Sequence, residues 1–206
     1  MRSPARPPAD GARDLAALLA AIRACRLCEA DLPLGPKPTL VAAASARILI
    51  AGQAPGTRVH ATGIPWNDAS GDRLRAWLAL DRTAFYDARR IAIVPMGFCY
   101  PGKNASGDLP PRPECAATWH DSLLDLLPNV RLIVAAGSYA HAYHLGRRRK
   151  ATLTETVRAW RTFRPKVVPI PHPSWHNTRW LKQNPWFEAE TIPYLRARVA
   201  RLIAAE

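Results

Sequence analysis

The sequence predicts an α/β fold in which helices cover both faces of a parallel sheet. Four short apolar segments have the length and composition of buried strands: residues 48–51, 91–94, 132–135 and 167–170. Segments with helical spacing of apolar residues separate these strands, and strands that alternate with helices are typical of a parallel sheet. The chain has 206 residues, which fits one such domain better than two and is long enough for a sizeable core.

The helices are predicted from apolar residues that recur three or four positions apart. They are expected over residues 14–24, from a cap at Ser70 through Leu80, over 114–127, after Ser138, over 154–160 and over most of 185–205. A long loop rich in Gly and Pro, residues 95–113, follows the second strand. Residues 1–11 are rich in proline and are expected to form a disordered leader, so the predicted domain is residues 12–206.

The charge balance favours a polyanionic partner. The chain carries 29 Lys and Arg against 16 Asp and Glu, a net charge of +13, and nucleic acid is the commonest such partner. The alternative is a basic protein encoded by an arginine-rich genome. No apolar stretch reaches the ~18 residues that span a membrane, and the N-terminus lacks the apolar core of a secretion signal. We therefore expect a cytoplasmic monomer without a membrane partner.

Four cysteines indicate a metal site, because disulfides are rare in the cytoplasm. Cys25 and Cys28 form a C-x-x-C motif, whose two thiols lie on one turn and can bind one metal or cluster. Cys99 and Cys115 follow with fifteen residues between them and would have to fold back onto that turn. Four thiolates suit a 4Fe–4S cluster or a structural zinc ion, and spacing alone does not choose between them. The alternative is four unrelated buried cysteines that pack as small apolar side chains.

Three unusual loops follow the strands, after Ala51, Val94 and Ile170. The carboxyl ends of parallel strands meet at one edge of a sheet, and ligands bind beyond that edge, so we expect these loops to open there together. The first loop, GQAPG, has glycines that let backbone amides approach a ligand, although most such loops are only tight turns.

Two aromatic side chains in these loops are candidates for a site. Trp66 lies in the turn GIPWND and can stack on a flat ligand, although core packing is the alternative for any one of seven tryptophans. His172 follows the fourth strand between two prolines, where it can donate a hydrogen bond to a developing anion. A lone histidine is more often structural, but the prolines, the strand end and a second histidine, His176, favour a functional role.

Basic segments supply candidate phosphate contacts. Arg147, Arg148 and Arg149 form a run that is either a solvated face or a contact with phosphate. Arg112, in the long loop, is a further candidate. In a chain with this net charge, all four are included among the expected DNA contacts.

In combination, these motifs resemble those of the uracil-DNA glycosylase superfamily. A strand runs into G-[EQ]-A-P-G, a G-x-P-[FW] turn follows about ten residues later, and H-P-S follows a later strand. The C-x-x-C and C-x15-C pairs resemble the iron–sulfur branch of the family, often called family four, and the related covalent-binding group. Each motif is short, but four of them in this order are specific together, over roughly residues 20–200.

The resemblance implies a three-layer α/β/α fold with a central four-stranded parallel sheet, a 4Fe–4S cluster and a pocket for a base flipped out of DNA. The implied cluster ligands are Cys25, Cys28, Cys99 and Cys115. Gln53 and Ala54 would lie in the first catalytic motif, where Gln53 would take part in catalysis and Ala54 and Gly56 would bind the substrate. Trp66 takes the place of the aromatic that stacks on the base, and His172 would face the base O2.

The chain departs from the family pattern where catalysis uses a carboxylate. Several members have Asp where this chain has Ala54, and the iron–sulfur branch often has acidic residues where this chain has Val59 and His60. The nearest replacement is Asp68, which we expect to position the water, with His60 behind it. The branch also reads the base with an Asn before the third cysteine, and residues 94–98 contain no amide side chain.

Other residues are expected to read the base and to contact DNA. Asn67 and Asn177 are candidates for the base edge, since an amide can donate and accept hydrogen bonds together. The family's second motif often continues into an apolar wedge that fills the gap left by the flipped base. Here Trp175 and His176 follow the motif, and both are expected to contact DNA.

The sequence therefore predicts a monofunctional DNA glycosylase that flips and excises uracil or a related damaged or modified base, leaving an abasic site for base excision repair. An alternative from another class is a non-catalytic or covalent binder of damaged-base or abasic DNA, which the missing carboxylates favour. A third hypothesis, an iron–sulfur redox protein or a zinc scaffold, leaves His172 and Trp66 without a role.

Overall fold

The computed structural model describes residues 11–105 and 107–204. The predicted leader lies outside the described residues except for Gly11, with which the first helix begins. The helices are α1 (Gly11–Arg23), α2 (Thr57–Thr62), α3 (Ala69–Leu78), α4 (Arg82–Phe85), α5 (Pro113–Asp125), α6 (Ser138–Leu145), α7 (Leu153–Arg158), α8 (Thr178–Gln183) and α9 (Ile192–Ala204). The strands are β1 (Ile48–Ala51), β2 (Ile91–Ile93), β3 (Lys103–Asn104), β4 (Gly107–Asp108), β5 (Leu132–Ala136) and β6 (Val167–Ile170). Within the described residues, none of the helices is both long and apolar enough to cross a membrane.

Four of the strands form one parallel sheet in the order β2-β1-β5-β6. Ile48 of β1 lies opposite Ile91 of β2 on one side and opposite Leu132 of β5 on the other. Every residue of these four strands is buried, which explains why they read as continuous apolar runs rather than as alternating patterns. The predicted three-layer α/β/α class, with its four-stranded parallel sheet, is confirmed.

The side chains of the sheet alternate between two apolar cores. Leu49 and Ile133 point into the core that also contains residues of α1, α5 and α6. Ile50 and Val134 point into the opposite core, which contains residues of α3, α4, α7 and α9. The two helical layers therefore fix the sheet from both sides and leave its carboxyl edge free for the connecting loops.

The start of α3 differs from the prediction that Ser70 caps this helix. Asp68 is the N-cap residue, and its Oδ1 accepts a hydrogen bond from the backbone N–H of Gly71 at 2.8 Å. Either side chain can cap a helix, but a carboxylate also interacts favourably with the positive end of the helix dipole. One oxygen of a candidate catalytic carboxylate therefore has a structural role.

The long loop after β2 contains a short antiparallel hairpin, β3–β4. Lys103 pairs with Asp108, and Asn104 pairs with Gly107. Gly107 has a φ of +118°, a backbone conformation that glycine adopts far more readily than other residues. Strands of two residues are too short for an alternating pattern to appear, so the sequence predicted only a loop here.

Candidate active site

The loops that follow β1, β2 and β6 line one cavity of about 690 Å³ at the carboxyl edge of the sheet. The first loop contributes residues 52–56, the second contributes Pro95 and the hairpin, and the third contributes His172. The expectation that these three loops open together is confirmed. A cavity of this size is in the range of pockets that hold small organic groups.

Backbone hydrogen bonds hold the GQAPG loop against the loop after β2. Met96 and Gly97 donate bonds of 2.9 Å to the carbonyls of its first two residues. The side chain of Gln53 adds another bond, from its Nε2 to the carbonyl of Leu109 at 2.9 Å. Ala54 lines the cavity, whereas the amide nitrogen of Gln53 holds the end of the hairpin.

Trp66 forms part of the cavity wall and stacks on His172. The ring centroids are 5.3 Å apart, the planes differ by 28°, and only 9% of Trp66 is exposed. Gly52 leaves room for the indole, because a Cβ at that position would lie 2.6 Å from Cζ2 of Trp66. Much of the indole is therefore already packed against protein, and its contact with a base stays a prediction.

Gly71 makes room for the backbone of this turn. A Cβ at position 71 would lie 1.7 Å from the carbonyl oxygen of Trp66, which is far closer than any real contact. Alanine is normally better than glycine inside a helix by about 1 kcal/mol. Here we expect the opposite sign: Gly71→Ala should lower the free energy of unfolding by about 1–3 kcal/mol, as in other overpacked sites. Urea denaturation measures this change.

The exposed face of the same helix offers a control for that measurement. Ala76→Gly changes helix propensity without a steric clash, so it gives the propensity contribution alone. A gain in stability for Gly71→Ala, equal and opposite to the loss for Ala76→Gly, would contradict the close approach of the Trp66 carbonyl.

His172 lies immediately beyond β6 and is held from several sides. Two flanking prolines restrict its backbone, and Nδ2 of Asn177 donates to its carbonyl at 2.7 Å. Gly137, with a φ of +88°, packs against it, since an added Cβ there would lie 3.4 Å from Cβ of His172. Burial lowers the pKa of His172 to about 4, against an opposite contribution from Asp68. The imidazole is therefore neutral at pH 7 and can donate an N–H without carrying a charge.

Two carboxylates, Asp68 and Asp108, line the cavity. Asp108 lies on β4, and a Cβ at Gly56 would be 3.5 Å from its Oδ2, so the carboxylate reaches the end of the GQAPG loop. Partial burial, and then the charge of Asp68, raise the pKa of Asp108. Asp108 was not predicted from the sequence. It lies in the loop after β2, which was expected to open at the sheet edge, and that expectation was the available indication.

His60 and Asn67 are not among the residues that line the cavity. His60 lies on α2 with its ring centroid 6.2 Å from that of Tyr100, and burial, then the charge of Lys37, lower its pKa. Oδ1 of Asn67 accepts a hydrogen bond from Nη2 of Arg82 at 3.0 Å. Their roles in water positioning and base reading stay predictions, which this placement does not support. Asn177, the other predicted base reader, also lies outside the lining and uses its amide nitrogen to hold the carbonyl of the loop.

The arginine run, Arg147 to Arg149, follows α6 and does not line the large cavity. The guanidinium of Arg148 lies over the ring of Phe163, 5.4 Å from its centroid. The contact of this run with DNA stays a prediction.

Three other residues do line the mouth of the cavity: Trp175, His176 and Lys103. Trp175 is 71% exposed, and its ring stacks on that of His176 with centroids 3.8 Å apart. An exposed aromatic pair beside a lysine is a surface that can contact both bases and phosphates. Trp175 and His176 were predicted from the sequence as DNA contacts, whereas Lys103 was not.

The four cysteines line a second, much smaller cavity of about 20 Å³. Cys25 and Cys28 follow α1, Cys99 lies in the loop after β2, and Cys115 lies on α5. The backbone N–H of Phe98 donates to Sγ of Cys115 at 3.3 Å. The chain thus brings both predicted pairs of thiols to one place.

Burial makes three of the four thiols reluctant to ionise. It raises the pKa of Cys28 and of Cys99, and raises that of Cys115 to about 12. A bound metal supplies the positive charge that such thiolates need, so the donor set fits an iron–sulfur cluster or zinc. The described residues include no group of three or more His, Cys, Asp or Glu side chains that could hold a metal ion as they stand.

Arg112 lies at the cysteine cavity and not at the large one. Its Nη2 lies 3.0 Å from a carboxylate oxygen of Asp31 and 2.8 Å from one of Glu114. The guanidinium also lies close enough to Cys28 to lower the pKa of that thiol in part. Its role as a phosphate contact stays a prediction, and its charge is paired with these two carboxylates here.

The chain is similar to known proteins in sequence and in fold. The family model described as "Uracil DNA glycosylase superfamily" matches residues 38–196, a span that includes both cavity motifs and omits Cys25 and Cys28. The chain is also similar to the solution NMR structure of a "putative Uracil DNA glycosylase" from Methanosarcina acetivorans. The two are 18% identical with a TM-score of 0.44, and the match covers 78% of this chain and 98% of the other.

Proposed function

The chain belongs to the uracil DNA glycosylase superfamily, and we propose that it is a monofunctional DNA glycosylase that excises uracil or a related damaged or modified base. The observation that carries the proposal is that a neutral His172 and the GQAPG loop face the same cavity. Hydrolysis of the N-glycosidic bond would leave an abasic site in the DNA.

The cavity suits a base that has left the stack. A base inside a duplex cannot be reached at its glycosidic bond, so it must be flipped out at a cost of a few kcal/mol. The volume of about 690 Å³ leaves room for a base and part of its sugar. Trp175 at the mouth is the side chain suited to fill the gap in the stack, because it is large, apolar and exposed.

His172 stabilises the leaving group in this proposal. As the bond between the base and C1′ breaks, its electron pair stays with the base, and negative charge develops on the ring nitrogen and the carbonyl oxygens. A neutral imidazole N–H aimed at a carbonyl oxygen stabilises that anion without pairing strongly with the uncharged base beforehand. The rigid loop around His172 keeps this donor in place before the reaction begins.

The mouth of the cavity is the proposed DNA contact. Lys103→Gln should weaken binding to DNA of every sequence and lower the slope of log affinity against log salt by about 1. Arg131→Gln is the matched control, since it removes one exposed charge directly before β5, at the amino edge of the sheet and away from the cavity. Salt titrations with a fluorescent oligonucleotide test both variants. Equal slopes for the Lys103 variant and the native protein would argue against this surface.

We further propose that the four cysteines hold a 4Fe–4S cluster, with zinc as the alternative. Support comes from the four thiols around one cavity and from the N–H of Phe98 directed at a sulfur. A bound cluster would tie the end of α1 to the loop after β2 and so stabilise one wall of the large cavity. Loading requires the thiol side chains to converge beyond their present arrangement.

Elemental analysis separates these alternatives. A cluster predicts iron and acid-labile sulfide in equal amounts with broad visible absorbance, and Cys115→Ser should lose both and lower the melting temperature. Stoichiometric zinc in colourless protein would contradict the cluster. Neither metal, with Cys115→Ser as stable as the native protein, would contradict both.

A single-turnover cleavage assay tests the function itself. Labelled oligonucleotides carrying one uracil, hypoxanthine, xanthine or 5-hydroxymethyluracil, single- and double-stranded, are incubated with the protein and treated with alkali to reveal abasic sites. Cleavage of any of them supports the proposal, and the ranking identifies the base.

The second candidate function is a protein that binds damaged-base or abasic DNA without turnover. It is favoured by Ala54, which occupies a position where several members of the family have a carboxylate. Tight binding to one of these oligonucleotides without cleavage, by protein with its full metal content, would favour this function over excision.

A further inference from the structure

We propose that Asp108, on the β3–β4 hairpin, is the carboxylate that activates water in the reaction proposed above. The inference rests on that proposed function. The GQAPG loop has no carboxylate at Ala54, and in this proposal the hairpin supplies one instead.

Asp108 lies on the hairpin and reaches the end of the GQAPG loop. Its Oδ2 would be 3.5 Å from a Cβ built on Gly56, so little lies between the carboxylate and the end of the GQAPG loop. The hairpin thus brings a carboxylate within reach of the same catalytic loop in which other members of the family carry one.

Two hydrogen bonds hold the residue next to Asp108. The N–H of Leu109 donates to the carbonyl of Gly102 at 2.9 Å, which closes the base of the hairpin. The carbonyl of Leu109 accepts from Nε2 of Gln53 at 2.9 Å. Gln53 belongs to the GQAPG loop, so this loop itself positions the hairpin, and Gln53 is a positioning residue in this scheme.

Of the two cavity carboxylates, Asp108 makes fewer hydrogen bonds within the described residues than Asp68 does. Oδ1 of Asp68 caps α3 through the N–H of Gly71. Asp108, by contrast, has no hydrogen bond or ion pair to another residue in the described part of the chain, apart from the backbone pairing of its hairpin. Its carboxylate is therefore free to accept a hydrogen bond from a water in the cavity.

The charges around Asp108 suit a proton acceptor. Partial burial and then Asp68 raise its pKa, whereas Lys103 and His176 lower it, and Tyr100 also faces it. The net rise makes the carboxylate a better base than an ordinary aspartate. In this proposal its negative charge would also lie beside the sugar, where positive charge develops as the glycosidic bond breaks.

The step balances as a simple hydrolysis. The bond between C1′ and the base nitrogen breaks, and its electron pair leaves with the base. The water oxygen forms a bond to C1′ and its proton passes to the carboxylate of Asp108, which returns it to solvent. The departing base anion takes a proton from solvent, so no further reactant is needed.

Asp108→Asn tests the proposal, because asparagine keeps the size and the hairpin but cannot accept the proton. We expect single-turnover excision to slow about 100-fold, with DNA binding within about twofold of the native protein. The native rate should fall as the pH drops through the raised pKa of Asp108, and the variant should lack that fall. Asp81→Asn, which keeps the cap of α4 outside the cavity, is the matched control. An excision rate in Asp108→Asn equal to that of the control would overturn the proposal.

A binding measurement keeps the test independent of turnover. DNA with a cationic pyrrolidine in place of the sugar mimics the charge of the reacting centre, and DNA with a neutral tetrahydrofuran is its control. The native protein should prefer the cationic DNA by about tenfold, and Asp108→Asn should lose that preference. If the native protein cleaves no base but shows a preference that Asp108→Asn abolishes, excision fails as the function, while the placement of the Asp108 charge beside the sugar position stands. An equal preference in both proteins would overturn the assignment.

Discussion

His172→Ala is expected to slow base excision by about 100- to 1,000-fold, the usual cost of removing one donor to a developing anion. The effect should fall on the chemical step, because the bond from a neutral N–H to a carbonyl oxygen strengthens only as charge moves onto the base. We therefore expect affinity for the substrate DNA to change by less than about fivefold. Single-turnover rates and equilibrium binding of the same oligonucleotide measure the two quantities.

The pH dependence gives a second check on this role. Burial lowers the pKa of His172 to about 4, so the imidazole is neutral from pH 5 upward. The ratio of the native rate to the His172→Ala rate should therefore not change near pH 6.5, where an ordinary histidine titrates. His60→Ala is the matched control, since that ring faces Tyr100 and not the cavity. Equal losses of binding and of rate in His172→Ala would count against anion stabilisation.

The second large effect is a loss of stability in mild acid. Burial lowers the pKa of His120 and of His141 to about 4, and both side chains are almost fully buried. In the unfolded chain they would titrate near 6.5, so between pH 6.5 and about 4 the unfolded state binds more protons. The contribution of these two histidines to the free energy of unfolding is fully present above pH 6.5 and is lost as the pH falls to about 4. It is on the order of 3 kcal/mol for each histidine.

Urea denaturation at several pH values measures this loss. The free energy of unfolding should fall steeply from pH 6.5 to 4 in the native protein, and the fall should be shallower in His120→Leu, which cannot take up a proton. The prediction concerns the slope of the free energy of unfolding against pH, so a change in stability at neutral pH caused by the substitution does not affect it. Parallel curves for the two proteins would mean that His120 does not resist protonation.

The sheet was predictable because its strands are buried on both faces. The bounds of β1 and β6 match the apolar runs at 48–51 and 167–170, and the carboxyl-edge rule correctly brought three loops to one cavity. His172 followed from that rule and from its flanking prolines. These features are encoded locally, in runs of apolar residues and in proline positions.

The sequence was a weaker guide where distant parts of the chain decide what a side chain contacts. His60 lies close in sequence to the GQAPG loop, but α2 turns it towards Tyr100. Arg112 pairs with Asp31, which is far away in sequence, and the hairpin that carries Asp108 has strands of only two residues. Proximity in sequence does not reveal such contacts, since they depend on how helices and loops pack.

The packing of Trp66 against Gly52 constrains the order in which this site can change by mutation. A methyl group at position 52 would overlap the indole, since a Cβ there would lie 2.6 Å from Cζ2 of Trp66. Alanine at 52 is therefore accessible only to a descendant in which Trp66 has first become smaller. The two substitutions are therefore non-additive. Replacing Trp66 first avoids the overlap, whereas replacing Gly52 first gives an intermediate in which the methyl group and the indole overlap.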